Sequence, residues 1–263
     1  MRAWRWQLQF APATRPRFGA ALSALLLGTF FNNVLPARAG EAAQVVALRR
    51  SSRTSVSETT ATVLLGRVWD VLSVLILLFV LAPWLPPVSW LRAAVYLAVG
   101  LVAFLALVVV AGRRLLQMLL RPLARLPFLT AAHTESAAAG AWRGLVSVRR
   151  PGPAAVAFGL TTASWLVFGI SNWLVLEGFS LGLSPLAGIL MSIALSLAMI
   201  LPSSPASVGV FEAAVLIALK PYGVPKAEGL SVALVLHALN LFPYLVAGIV
   251  CLRLEARARP AVP

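Results

Sequence analysis

The chain has 263 residues, of which 60% are hydrophobic and only 11% charged, whereas a soluble globular domain carries about a quarter charged residues. Its formal net charge of +14 is not a nucleic-acid footprint, because the arginines gather between apolar runs, as they do in the cytoplasmic loops of membrane proteins, where an anionic leaflet is their neighbour. The single Cys251 excludes an intrachain disulfide and a cysteine-built metal site, and His133 and His237 lie too far apart for metal-ligand spacing, so neither metal nor cofactor is expected.

In chain order, residues 1–17 carry Arg2, Arg5, Arg15 and Arg17 without a long apolar core, so no cleavable signal peptide is read there. An irregular apolar region follows at 18–50, and then Arg49, Arg50 and Arg53. Runs over 59–82 and 90–112 are long enough to cross a hydrocarbon layer, which takes about 20 residues. The connection 113–150 holds seven arginines. Its Arg113, Arg114, Arg121 and Arg125 interleave with leucines, the composition of helices lying at the headgroups. Two further spans, 153–176 and 228–252, flank a second irregular region at 184–220, and the tail carries Arg253, Arg257 and Arg259. The links 83–89 and 178–183 carry no basic residue. The positive-inside bias therefore places the arginine-rich groups, including the C-terminus, in the cytoplasm and these two links outside.

The two irregular regions share a broken pattern. Leu35-Pro36 is followed by Gly40 and Glu41, and Leu201-Pro202, with Pro205, by Gly209 and Glu212. Proline stops a helix and glycine permits a tight turn. Both ends of 18–50 are arginine-rich, yet the arm 40–48 would span only about 13 Å as a helix, against a core of about 30 Å. The region is read as a re-entrant hairpin from the cytoplasmic face, and the same reasoning makes 184–220 a hairpin from the outer face, although Lys220 and Lys226 run against the charge bias there. Hairpins entering from opposite faces form an inverted-topology repeat. The expected fold is thus an all-α polytopic membrane protein with about four full spans and two re-entrant hairpins. It is a single domain over 1–263, with halves 18–112 and 153–252 joined by the cytoplasmic interfacial connection 113–150. The second half has a span ahead of its hairpin and the first has none, so a membrane helix preceding Met1 is also expected.

The residues able to carry chemistry lie at these breaks and on the spans beside them. Asn32, Asn33, Arg38 and Glu41 are at or near the first tip, where polar groups would satisfy freed backbone or bind a ligand. Glu41 and Glu212 each open an apolar helix, so favourable contact with the helix dipole competes with a ligand or coupling role. Arg67 and Asp70, at i and i+3 in a span, can pair with each other. An intramembrane Arg costs about 2.5–3.5 kcal/mol on insertion scales and needs a partner or water. Asp70 could neutralise Arg67, or Arg67 could snorkel to the interface; alternatively Arg38 and Arg67 hold an anionic headgroup, since Arg offers phosphate a bidentate fork. His237 and Asn240 stand at the equivalent place in the second half. His237 is either a hydrogen-bonded packing residue or a titrating one. Asn172 and Glu177, near an outer helix end, are read as interfacial. There is no phosphate-binding Gly-Lys-Ser loop, His-Glu-x-x-His or Gly-x-Ser-x-Gly motif, so no catalytic residues are assigned.

At these positions the chain resembles the lysylphosphatidylglycerol synthase transmembrane-domain, or flippase-like, family. The block from Asn33 through Leu35, Pro36, Arg38, Gly40 and Glu41 is similar to its N-x-L-P-x-R-x-G-E signature, Arg67 and Asp70 to its R-x-x-D helix, and the stretch from Pro202 and Pro205 to Gly209, Phe211 and Glu212 to its P-x-S-P…G-x-F-E pattern. The chain departs from the family at Gln44 and His237, where Arg is usual, and at Gly66, where Glu is common. The resemblance implies a multi-pass protein of the bacterial cytoplasmic membrane that moves a phospholipid or lipid-linked headgroup between leaflets. Its partners would be anionic or polyprenyl-linked lipids and a separate synthase or transferase, with no nucleic acid. Two other classes compete: a membrane-embedded transferase acting on polyprenyl-phosphate substrates, and a non-transporting scaffold for a partner synthase.

Overall fold

In a computed structural model of the chain, residues 1–35, 39–52, 54–86, 150–199 and 204–257 are described, with scattered positions between 96 and 142. The span read at 90–112 and the connection 113–150 lie outside the described residues, apart from those scattered positions. All regular elements among the described residues are helical. They are α1 (Arg2–Leu8), α2 (Phe18–Val34), α3 (Gly40–Ser51), α4 (Val56–Leu81), α5 (Pro151–Gly178), α6 (Pro185–Ala198), α7 (Val210–Leu219) and α8 (Lys226–Arg257), with single 3-10 turns at Ala82–Trp84, Pro205–Ser207 and Lys220–Tyr222.

Local chemistry sets several of these boundaries. The Ser55 hydroxyl accepts the Glu58 N–H at 3.2 Å and opens α4, satisfying one of the four donors a helix start leaves unpaired. Proline stands in the first turn of α5 and of α6, where its missing N–H costs nothing. Gly223, at φ +73°, ends the turn after α7 in a left-handed conformation that glycine adopts without strain.

Four stretches among the described residues are long and apolar enough to cross a membrane: Val56–Trp84, Pro151–Gly178, Pro205–Tyr222 and Lys226–Arg257. The first, second and fourth agree with the sequence reading. The third is a turn, a helix and a turn in succession, and α7 itself has ten residues, about 15 Å at 1.5 Å per residue. That is about half a hydrocarbon thickness. Phe79, Phe242, Val246 and Leu174 are all well exposed on the long helices, as side chains facing lipid would be.

Neighbours along the chain pack together: α2 on α3 and α3 on α4 in the first half, α5 on α6, α6 on α7 and α7 on α8 in the second. The halves also exchange contacts in a matched way, with α2 against α8 and α6 against α4. Glycines allow the closest approaches. A Cβ on Gly40 would overlap the Gly28 carbonyl oxygen, and one on Gly188 the Gly169 carbonyl oxygen. Gly40 therefore brings two helices together rather than turning the chain, as the sequence reading had it. The cores follow this scheme. Met191, Phe211, Val215, Leu219, Val232 and Leu236 fill the second half; Leu77, Leu78, Trp165, Leu190 and Ile193 join α4 to α5 and α6; Trp6, Phe10, Leu27 and Leu48 close the first half.

Residues 1–17 hold a packed helix besides their arginines: α1 packs against α2, α4 and α5, with Arg5 and Trp6 buried. One expectation is corrected. Asn172 is not interfacial. It is buried, and its amide donates to the Ser192 hydroxyl at 3.0 Å, tying α5 to α6, because an amide on a helix face turned towards another helix finds its partner there rather than at the headgroups.

Candidate functional site

The first hairpin is held by its own polar groups. The Gly40 N–H, at the start of α3, donates to the Asn32 side-chain oxygen on the last turn of α2 at 3.0 Å. Glu41, one residue on, reaches α4: its Oε1 accepts from Arg67 Nη2 at 2.6 Å and from Arg67 Nε at 3.0 Å. Both bonds fall on one carboxylate oxygen, which leaves the guanidinium edge bearing Nη1 outside the pair. The side chains are open, Arg67 51% and Glu41 31% exposed. Arg67 lies 67 − 56 = 11 residues into α4, about 17 Å along the axis. A half-exposed ion pair at that depth must face water, a polar cavity or a headgroup, because hydrocarbon cannot solvate it.

Arg67 does not pair with Asp70. The carboxylate of Asp70 accepts from Arg5 Nη1 at 2.6 Å, which also donates to the Thr161 hydroxyl at 3.2 Å. These side chains are 9% and 13% exposed. The i, i+3 geometry permitted an intrahelical pair, but Asp70 is buried where Arg67 is open, and α1 supplies a cation there. Trp6 on the same helix donates its indole N–H to Thr62 at 3.0 Å, so α1 is anchored to α4 twice. The Arg5–Asp70 pair joins α1 to α4. Sequence reasoning missed Arg5 because α1 is too short for its buried Ala3 and Trp6 to stand out as a periodic pattern.

The second hairpin repeats the arrangement with different chemistry. Glu212, in the first turn of α7, accepts the Gly209 N–H on Oε2 at 2.6 Å and meets His237 Nδ1 with Oε1 at 2.5 Å. One carboxylate oxygen thus caps the helix start and the other meets His237. His237 Nε2 is 2.8 Å from the Ala206 carbonyl oxygen, and its ring stacks on Phe211 at 4.5 Å between centroids. Glu212 and His237 are each 12% exposed. His237 lies 237 − 226 = 11 residues into α8, the same distance as Arg67 into α4. Glu41 and Arg67 are 26 positions apart and Glu212 and His237 are 25. Each hairpin thus ends in a glutamate that is bound by a basic residue on the following long helix.

The turn between α6 and α7 is strained. Ala206 and Ser207 both have positive φ, +54° and +59°, a region that costs residues other than glycine about 1–3 kcal/mol each. The Ser204 hydroxyl donates to the Val208 carbonyl across it at 2.9 Å, Gly209 supplies a φ of +85°, and α2 packs on the turn from the other half. Asn240, one turn beyond His237, donates to the Leu236 carbonyl of its own helix at 2.8 Å. Asn33 is half-buried on the last turn of α2. Pro205 begins the strained turn. Pro36, Arg38 and Pro202 lie outside the described residues.

The family model described as "Lysylphosphatidylglycerol synthase TM region" matches residues 1–248. Neither the curated proteins nor the solved structures contain a match to the chain.

Proposed function

The chain belongs to the lysylphosphatidylglycerol synthase TM region family, and from that premise we propose that this integral membrane protein moves a phospholipid or lipid-linked headgroup between leaflets. The carrying observation is the open Glu41–Arg67 pair about halfway along a membrane-crossing helix. A guanidinium with one edge engaged and another open offers a phosphate the two parallel N–H bonds that Arg makes best. The acyl tails stay in lipid along the exposed apolar faces while the headgroup crosses on polar groups.

In this reading α2–α3 and α6–α7 are re-entrant hairpins entering from opposite faces, and the paired residues at their tips mark the path. The shortness of α3 and α7 supports it, as do the matched cross-contacts of α2 with α8 and of α6 with α4. Arg67 takes the phosphate, and Arg38 is a second candidate for it. Glu41 holds Arg67 in place until the headgroup arrives. Asn32, Asn33, Glu212, His237 and Asn240 line the polar route, and Asp70 fixes α1 against α4 beside it. The reading includes the bacterial cytoplasmic membrane as location, the C-terminus on the cytoplasmic side, and a separate enzyme as the source of the lipid.

Reconstitution tests this. Purified protein in liposomes carrying a headgroup-labelled anionic phospholipid should accelerate leaflet exchange over empty liposomes, and Arg67→Ala should remove at least tenfold of that acceleration. Arg67→Ala and Arg38→Ala proteins that fold normally and exchange lipid at the wild-type rate would overturn the assignment.

A further inference from the structure

The two hairpin tips differ in one respect that bears on energy coupling. The first is bound by an arginine, which never gives up its proton in a protein. The second is bound by a histidine, which can. The hydrogen-bond partners of His237 then fix how many protons the second tip holds. The Ala206 carbonyl has no proton to give, so Nε2 must be the donor to it. The other contact, Nδ1 to Glu212 Oε1, needs one more proton between nitrogen and oxygen. It can sit on Nδ1, giving imidazolium and carboxylate, or on Oε1, giving imidazole and carboxylic acid. Either way the closed arrangement carries one proton more than a neutral ring beside a carboxylate.

From this geometry we infer that Glu212 and His237 form a proton-binding site whose single exchangeable proton latches the second hairpin's tip to α8, and that its release to water unlocks the tip. After release one ring nitrogen has no proton, so either Nδ1 faces Oε1 or, in the other tautomer, Nε2 faces the Ala206 carbonyl, and a contact between two acceptors cannot persist. In the second case the Ala206 carbonyl loses its donor at once, and in the first the ring turns away and takes that donor with it. The consequence is large because that carbonyl belongs to the strained turn, with Ala206 and Ser207 both at positive φ, so the turn relaxes once it is let go. Glu212 can keep its charge in the open state, since its other oxygen still accepts the Gly209 N–H at a helix N-terminus.

Little else among the described residues can titrate in this place. Of the elements packed against α8, α2 has no titratable residue, α7 has only Glu212, and α5 has only Glu177, at its far end. The turn Pro205–Ser207 has none. On α8 itself the nearest is Tyr244, two helical turns along, followed by Cys251, Arg253, Glu255 and Arg257 in one direction and Glu228 and Lys226 in the other. The coupling of this proton to cargo rests on the lipid-moving reading given above; the proton site itself does not.

The test reads the tip and the lipid separately. Val208 is exposed beside the turn, so Val208→Cys in a Cys251→Ala background reports tip opening by its rate of maleimide labelling in liposomes. Dividing each rate by that of the same cysteine in His237→Arg, whose donors are permanent, cancels the pH dependence of the thiol. The ratio should rise several-fold with pH through a one-proton transition, and His237→Gln should be labelled fast at every pH. A ratio that is flat with the native histidine overturns the proton site. His133→Gln leaves His237 as the sole imidazole, and NMR of its 15N-labelled ring together with a 13C-labelled Glu212 carboxyl should show the pair losing one proton over the same pH range; a ring and a carboxyl that both keep their protonation there also overturn it. Lipid exchange under an imposed pH gradient then separates the two readings. Labelling that titrates, with no exchange under any gradient, supports the proton site and removes the lipid-moving function. Exchange that ignores the gradient, with flat labelling, removes the proton site and leaves that function standing.

Discussion

Replacing Arg5 by methionine keeps most of the side-chain volume but strips Asp70 of its cation. Asp70 accepts from Arg5 Nη1 at 2.6 Å and is 13% exposed, so water cannot take the place of the guanidinium. Losing one member of a buried pair costs about 3–5 kcal/mol, because the remaining charge is left uncompensated. Thr161 contributes little to that loss: its hydroxyl also donates to the Ala157 carbonyl at 2.7 Å and keeps this bond when Arg5 is gone. The penalty therefore belongs to Asp70, and Arg5→Met with Asp70→Leu should recover most of it, since replacing both ends of a buried pair by apolar groups is often neutral. Equilibrium unfolding in mixed micelles, followed by tryptophan fluorescence, gives the four free energies of the cycle. Each single variant should lose about 3 kcal/mol or more, and the double variant should return near the wild type. Single losses below about 1 kcal/mol that simply add would show instead an ordinary interhelical hydrogen bond, which averages about 0.6 kcal/mol in membranes, and no uncompensated buried charge.

Further outcomes follow from individual contacts. Gly40→Ala should sharply reduce the folded yield in detergent, because the added methyl overlaps the Gly28 carbonyl; Gly19→Ala, which meets nothing within 4 Å, is the control that should fold. Asn172→Ala should cost only about 0.5–1.5 kcal/mol in the same unfolding assay, since Ser192 retains its bond to the Gly188 carbonyl at 3.1 Å. Arg67→Lys keeps the charge and loses the fork, so lipid exchange should fall several-fold while the folded yield stays at the wild-type level.

The membrane class and the positions of the long helices were legible because spanning hydrocarbon needs length and apolarity, and both are written locally. The spans read at 59–82, 153–176 and 228–252 correspond to α4, α5 and α8, with boundaries that differ by five residues or fewer. The near-equal spacings of Glu41 to Arg67 and Glu212 to His237 could be counted in the sequence, and each turns out to join a bonded pair. What escaped reading was choice of partner. Asp70 could have met Arg67 on its own helix, and only tertiary packing decides that it meets Arg5, 65 positions away. Asn172 looked interfacial because depth in a bundle is not encoded by position along a helix. The Ala206 carbonyl could not be anticipated at all, since backbone acceptors leave no mark in a sequence.

Lipid exchange by the charge-swapped protein, Glu41→Arg with Arg67→Glu, against wild type in the same liposomes decides whether Arg67 meets the headgroup or only pairs with Glu41. The swap preserves an ion pair between α3 and α4, so a purely structural pair would be restored in both folding and exchange. The swapped protein should fold, with exchange near that of empty liposomes, because the guanidinium has left the position where it meets the headgroup phosphate. A swapped protein that exchanges lipid as fast as wild type would contradict that role of Arg67.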